Sequence, residues 1–126
     1  PYSRITAIDL RTGTTSWVAA NGETPEFVRA HPALTNVTLP KTGKFSRPSG
    51  LLVTATLLFA GEGGGGDAVL WAYDKGTGAV AAKIALPGPT TGFPITYERN
   101  GRQFIVVAAR VNDTVELVAL ALPKEP

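Results

Sequence analysis

Glu62-Gly63-Gly64-Gly65-Gly66-Asp67 is the segment whose residue types best suit chemistry. Its glycines let the backbone approach a flat cofactor, and its carboxylates can orient a hydroxyl or bind a cation. The same composition also describes a flexible loop with solvated acids. It is no phosphate cradle, because the Gly-Lys-Ser/Thr ending is missing. Thr90-Thr91-Gly92 can line a central site or simply turn between two strands. The candidate cofactor-binding residues are therefore Glu62, Gly63, Gly64, Thr91 and Gly92. His31 is the only histidine, so no multi-histidine metal site can form from this chain. Followed by Pro32, it reads as structural or as a rim contact to substrate. Arg29, Lys41, Lys44 and Arg47 make the same stretch basic, either as a solvated loop or as a contact for an acidic partner. Glu98, Asp113 and Glu116 lack the paired spacing of a glycoside hydrolase. Without cysteine, disulfides, thiolate metal sites and a cysteine nucleophile are all excluded.

The elements that must position these residues are short. The 126 residues allow one domain. Hydrophobic residues are 44% and charged ones 17%, too apolar a mixture for disorder. The 14 Gly and 10 Pro punctuate short elements. A net charge of +2, with no Lys/Arg cluster, argues against nucleic-acid binding. The apolar stretch at Leu51–Ala60 is too short to span a bilayer. The chain contains no Met, which points to a processed, trimmed or partial chain.

Strands are expected at Ile5–Leu10, Thr15–Ala19, Leu51–Thr54, Leu57–Ala60, Ala68–Tyr73, Ala79–Leu86, Ile95–Glu98, Gln103–Ala108 and Val115–Leu122. Asn100-Gly101 is a strong hairpin signal because both residues tolerate positive φ. The pattern implies an all-β antiparallel meander. A short helix is expected over Thr24–Ala30, with Thr24 as N-cap and Pro25 at the first helical position.

An internal repeat adds to this. AIDLRTGTTSW (Ala7–Trp17) aligns with AYDKGTGAVAA (Ala72–Ala82), both following A-x-D-x-x-T-G. The offset of 65 residues is long for a four-stranded propeller blade unless Asn21–Ser49 is an insertion. In the motif, Asp and Thr can accept hydrogen bonds from the turn's backbone while Gly supplies positive φ. Trp17 would lay a large flat surface on a neighbouring blade.

A-x-D-x-x-T-G-x-x-x-W resembles the tryptophan-docking motif of the quinoprotein dehydrogenases, eight-bladed propellers that bind pyrroloquinoline quinone (PQQ). RAHPAL (Arg29–Leu34), LLVTATLLFAGEG (Leu51–Gly63), TGFPITYERNGRQFIVVAA (Thr91–Ala109) and LVALALP (Leu117–Pro123) resemble the C-terminal end of the glucose- or sugar-dehydrogenase-like branch, in the same order. The resemblance implies an all-β fold of antiparallel four-stranded β-propeller blades, here a C-terminal fragment with about two blades' worth of strands. Residues 1–20 would be the last two strands of one blade, 21–49 an inter-blade insertion, 50–87 a complete blade, and 88–126 the first three strands of the final blade. Ala82 stands where the second motif would place Trp, with Trp71 a candidate substitute. Arg110–Asp113 stands where the family usually has a glycine-rich segment.

For the parent enzyme the resemblance implies PQQ and calcium near the propeller axis, a sugar or alcohol substrate, and a periplasmic location, with membrane association open. The Asp base and calcium ligands would lie in other blades. No residue here is expected to be catalytic or a metal ligand, and the chain alone is expected to be inactive and to hold neither PQQ nor calcium. The expected partners are the remaining blades or a self-associating copy. The alternative is a non-enzymatic PQQ-like propeller scaffold or protein-binding module. Propeller geometry also puts the long loops at Ala20–Gly50, Glu62–Asp67, Pro87–Phe93 and Arg110–Thr114 on one face, where binding is expected.

Overall fold

The computed structural model describes residues 2–44 and 50–123. Arg47 lies outside the described residues. Along the chain come β1 (Arg4–Asp9), β2 (Thr14–Ala20), helix α1 (Glu26–Arg29), a single 3-10 turn at Pro32–Leu34, β3 (Leu51–Val53), β4 (Leu57–Gly61), β5 (Val69–Asp74), β6 (Val80–Ala85), β7 (Ile95–Arg99), β8 (Arg102–Val111) and β9 (Thr114–Leu120). These strands form three antiparallel sheets, ordered β1-β2, β3-β4-β5-β6 and β7-β8-β9. Each pairs sequence neighbours only, which is the meander of propeller blades.

The central strands β4 and β5 of the four-stranded sheet are buried on both faces, and their sequence shows why. Leu57–Gly61 and Val69–Asp74 are almost continuously apolar, as a strand with two buried faces must be. Period-2 alternation then divides the residues. Leu58, Ala60, Val69, Trp71 and Tyr73 pack with Ile5, Trp17 and Ala19 of the first sheet. Phe59, Leu70, Ala72 and Leu86 pack with Ile105, Val107, Val118 and Leu120 of the last. A fully buried side chain such as Leu70 contributes about 1.5–3 kcal/mol relative to exposure.

Turn chemistry follows the sequence signals. Asn100 and Gly101 take φ of 53° and 70°, as a two-residue hairpin between β7 and β8 requires. Gly78, in the turn of the second motif copy, takes φ of 73°. Three local expectations are corrected. β8 continues through Arg110 and Val111, so the anticipated loop at Arg110–Thr114 shrinks to a turn at Asn112-Asp113. The β-branched and aliphatic run Phe104–Val111 keeps pairing with β9 as far as Val111↔Thr114. The last strand ends at Leu120 rather than Leu122. Pro25, not Thr24, occupies the N-cap of α1, with its carbonyl accepting from Val28 and Arg29. Thr24 is buried and its hydroxyl is used across the loop instead, donating to the Pro40 carbonyl and accepting from the Thr42 N–H. Among the described residues no helix is long and apolar enough to cross a membrane.

Candidate functional site

Four segments converge on one face of the central blade. The 21–44 segment is strapped to it first. Asn21 Nδ2 donates to the Gly61 carbonyl at 3.0 Å in a buried bond, and the Tyr73 hydroxyl contacts the Ala20 carbonyl at 3.2 Å. Burial, with Glu62 nearby, pushes the Tyr73 phenol up to about 12, so it stays neutral. Lys44 Nζ pairs with Asp67 at 2.9 Å. Gly22 lies so close to the Glu62 carboxylate that a Cβ there would stand 2.8 Å from it.

The inter-blade segment joins next. The Gly63 N–H donates to the Thr90 hydroxyl at 3.0 Å, and a Cβ on Gly61 would overlap the Thr90 side chain. Further along, the Thr91 N–H donates to the Ala108 carbonyl and the Arg110 N–H to the Pro89 carbonyl, both at 2.9 Å. The structure thus brings Gly63 beside the Thr90-Thr91-Gly92 segment, and both beside the end of β8. Close backbone approach occurs at the end of β8, with the glycine on the facing side. A Cβ on Gly88 would overlap the Arg110 carbonyl.

The candidates differ in what they can still offer a ligand. Glu62 is 1% exposed. Its Oε1 accepts from Trp71 Nε1 at 2.9 Å and its Oε2 from the Asp67 N–H at 2.8 Å. The carboxylate therefore closes the Gly63–Gly66 turn against the blade. Gly63 is buried, whereas Gly64 is exposed with nothing within 4 Å of a would-be Cβ. Thr91 is exposed, and Gly92 is half-buried with room for ordinary contact against Ala108. A flat cofactor can meet open backbone at Gly64 and the Thr91 side chain, which suits contact at one edge, with Glu62 acting from behind the turn. Among the described residues no three His, Cys, Asp or Glu side chains are grouped to hold a metal ion.

Of two further residues singled out in the sequence, His31 takes the structural role and Trp71 a different partner. His31 Nδ1 accepts from the Ala33 N–H at 3.2 Å, capping the 3-10 turn. Trp71 is not a docking tryptophan for the following sheet. Alternation along β5 turns it toward the first sheet, on the opposite face from Leu70 and Ala72, and its indole serves Glu62. Aliphatic packing about Leu70, Leu86 and Val107 joins the last two sheets instead. The docking motif itself operates between the first two. Trp17 donates to the Lys75 carbonyl at 3.0 Å and lies against Gly78.

The residues that build this face were only partly visible in advance. Asn21, Trp71 and Thr90 carry its buried hydrogen bonds; the sequence singled out Thr90 within Thr90-Thr91-Gly92 and Trp71 as a docking substitute, but not the Trp71–Glu62 bond or Asn21. For Asn21 a signal exists in Asn21-Gly22 closing a strand, a turn dipeptide that marks where the chain leaves the sheet.

Residues 1–105 match the model of the glucose/ethanol/alcohol dehydrogenase β-propeller domain of the PQQ type. Over 115 residues the chain is 30% identical to a probable quinate dehydrogenase (quinone) from Xanthomonas campestris pv. juglandis. That alignment covers 86% of the chain and 14% of the relative's length.

Proposed function

The chain belongs to the glucose/ethanol/alcohol dehydrogenase β-propeller family, and from that premise we propose that it forms C-terminal blades of a PQQ-dependent dehydrogenase oxidising a sugar or alcohol. The family match over residues 1–105 carries the reading, and the Trp17–Lys75 docking contact supports it. When bound, the quinone would supply a two-electron acceptor for hydride from the substrate carbinol. The cofactor-facing part assigned to this chain is modest. Gly64 would present backbone, Thr91 its hydroxyl, and Gly92 the space for close approach, while Gly63, buried and bonded to Thr90 and Gly66, would keep the turn in place. Glu62 would hold the turn in shape from behind.

The proposal extends to a calcium ion held in the parent by other blades, to a periplasmic location, and to inactivity of the isolated chain. The relative's printed name adds a cyclic hydroxy acid to the candidate substrates. Remaining blades, or a second copy, would cover the open face of the β7-β8-β9 sheet. That face carries Ile95, Tyr97, Val115 and Leu117, the last 77% exposed.

The end of β8 favours a second reading. Arg110 and Val111 continue the strand and Gly88 fills the space at the Arg110 carbonyl, so backbone here meets backbone. A propeller scaffold without cofactor would tolerate that filling. Titration of the full-length protein with PQQ separates the two. Saturable binding with dye-linked oxidation of sugars, alcohols or hydroxy acids supports the dehydrogenase; absence of saturable binding overturns it. Dye-linked activity from the isolated chain with PQQ and calcium would refute its proposed inactivity.

A further inference from the structure

Residues 61–67 include five glycines in seven positions, so their own sequence imposes little conformation on them. The order of this turn has to come from outside it. Trp71 and Thr90 hold its first half, and the two ends of the 21–44 segment add a grip at each side. Those ends are bonded to each other, the Lys44 N–H donating to the Asn21 carbonyl at 2.9 Å. Asn21 Nδ2 donates to the Gly61 carbonyl, just past Ala60, where pairing of β3 with β4 stops. Lys44 Nζ meets Asp67 at 2.9 Å. One side of the turn is thus held by residue 21 and the other by residue 44.

Asn21 is committed to this junction. It is 8% exposed, and both its backbone and its side-chain amide are engaged. Its N–H donates to the Ser3 carbonyl at 3.0 Å, and its side-chain oxygen faces the Tyr73 hydroxyl at 3.4 Å. One residue therefore joins the residue before β1, the far end of the 21–44 segment, the end of β4 and the middle of the central blade. Strand pairing alone does not need the bond to Gly61, which already stands opposite Leu70 of β5. The bond instead fixes the peptide that leads from β4 into the turn. The Lys44–Asp67 pair, with side chains 21% and 46% exposed, is the weaker grip, because water and salt screen it.

We propose that Asn21 and Lys44 are positioning residues for the glycine turn, holding it from its two sides so that the open backbone at Gly64 is in place before a flat cofactor arrives. The cofactor part of this rests on the dehydrogenase reading above, whereas the grip on the turn does not. A turn ordered in advance loses little chain entropy on binding. A loosened one must lose it at that moment, and affinity falls accordingly.

The test is amide hydrogen exchange on the full-length protein without PQQ. Three turn amides report: Gly63, bonded to Thr90; Gly66, bonded to the Gly63 carbonyl; and Asp67, bonded to Glu62. Asn21→Ala is expected to speed their exchange about ten-fold, as the loss of one hydrogen bond would. Lys44→Gln is expected to speed it about three-fold, and Lys44→Arg, which keeps the pair, to leave it unchanged. The Thr77 and Gly78 amides of the docking turn are the reference. A general loosening of the fold speeds both turns, whereas loss of the grip speeds only the first. Equal acceleration in the two turns, or none at residues 63–67, would overturn the proposal. If Asn21→Ala fails to fold, the two Lys44 variants decide, since that pair is partly in solvent. Titration of the same variants with PQQ reads the consequence: Asn21→Ala should bind about ten-fold more weakly and Lys44→Gln about three-fold. Undiminished affinity in both would overturn the positioning role. Absence of PQQ binding by the unsubstituted protein would sink the dehydrogenase reading instead, and the exchange result is separate from it.

Discussion

Trp17 reaches across 58 residues of chain to Lys75, its indole N–H donating to the backbone carbonyl at 3.0 Å. This bond and the packing of the indole on Gly78 tie the first sheet to the central blade. The two copies of the docking motif thereby acquire different tasks. The first contributes the tryptophan, and the second contributes the turn that receives it.

That difference predicts unequal costs for one substitution at equivalent positions. Gly13 and Gly78 have nearly the same backbone, with φ of 71° and 73°. A Cβ on Gly13 meets nothing within 4 Å, while one on Gly78 would stand 2.5 Å from Trp17 Cε3. Gly13→Ala should cost about 1 kcal/mol for the left-handed conformation alone. Gly78→Ala should cost about 1–3 kcal/mol more, because the indole must shift. Urea denaturation measures both. In a Trp17→Ala background the gap should close, and a gap that persists would show that the docking contact is not its cause.

Glu62 yields a second prediction. Its carboxylate is buried and accepts from Trp71 Nε1 and the Asp67 N–H. Glu62→Ala leaves two donors without that acceptor and should cost about 3–5 kcal/mol. Glu62→Gln keeps the shape but turns an amide N–H toward one of the donors, and should cost about 1.5–3 kcal/mol. Trp71 fluorescence should shift as its partner changes. If Glu62→Gln leaves stability and emission untouched, the carboxylate is not closing this turn.

Strand order and hairpin turns were readable from alternation and turn chemistry, because those signals are local. The strands at Leu57–Gly61 and Val69–Asp74 were expected from their apolar runs, but their burial on both faces was not. What alternation could not assign was a partner for each face, since that depends on the twist and stacking of sheets far apart in sequence. Trp71 illustrates the loss. Its type suited docking, but its place on β5 turns it toward the first sheet. Glu62-Gly63-Gly64-Gly65-Gly66-Asp67 illustrates another. Composition left it either a cofactor-facing turn or a flexible loop with solvated acids, whereas Trp71 and Thr90, 9 and 27 residues along the chain, fix Glu62 and Gly63 in its first half. Thr24 shows the same conflict at small scale, because a hydroxyl suited to capping is used where the loop's ends meet.

The turn of the second motif predicts a pH dependence. Asp74 Oδ1 accepts from the Thr77 N–H and Thr77 hydroxyl, both at 2.8 Å. These bonds hold its carboxyl below the ordinary value of 3.8. A depressed carboxyl contributes stability that is fully present above the unfolded value and is lost as pH falls through the folded value. The loss therefore falls in the window below 3.8. Asp74→Asn should lower stability at neutral pH and flatten the acid limb of a stability–pH profile obtained by urea denaturation. An acid limb as steep as in the unsubstituted chain would remove Asp74 from its causes.

The open face of the last sheet supplies the final prediction. Register places Ile95, Tyr97, Phe104, Val106, Ala108, Val115, Leu117 and Ala119 on one side of β7-β8-β9, opposite the side packed on the central blade. Tyr97 and Phe104 stack with ring centroids 5.1 Å apart, adding a flat aromatic surface. An apolar face of this extent, beside the unpaired edge of β9, favours association. The purified chain should therefore sediment as a concentration-dependent oligomer, and Leu117→Glu should shift it toward monomer. In the full-length protein the same substitution should have the opposite value. If another blade covers this face, burying a carboxylate in place of Leu117 should destabilise by about 3 kcal/mol or more. A monodisperse monomer of the isolated chain, together with a harmless Leu117→Glu in the full-length protein, would mean that nothing packs on this face.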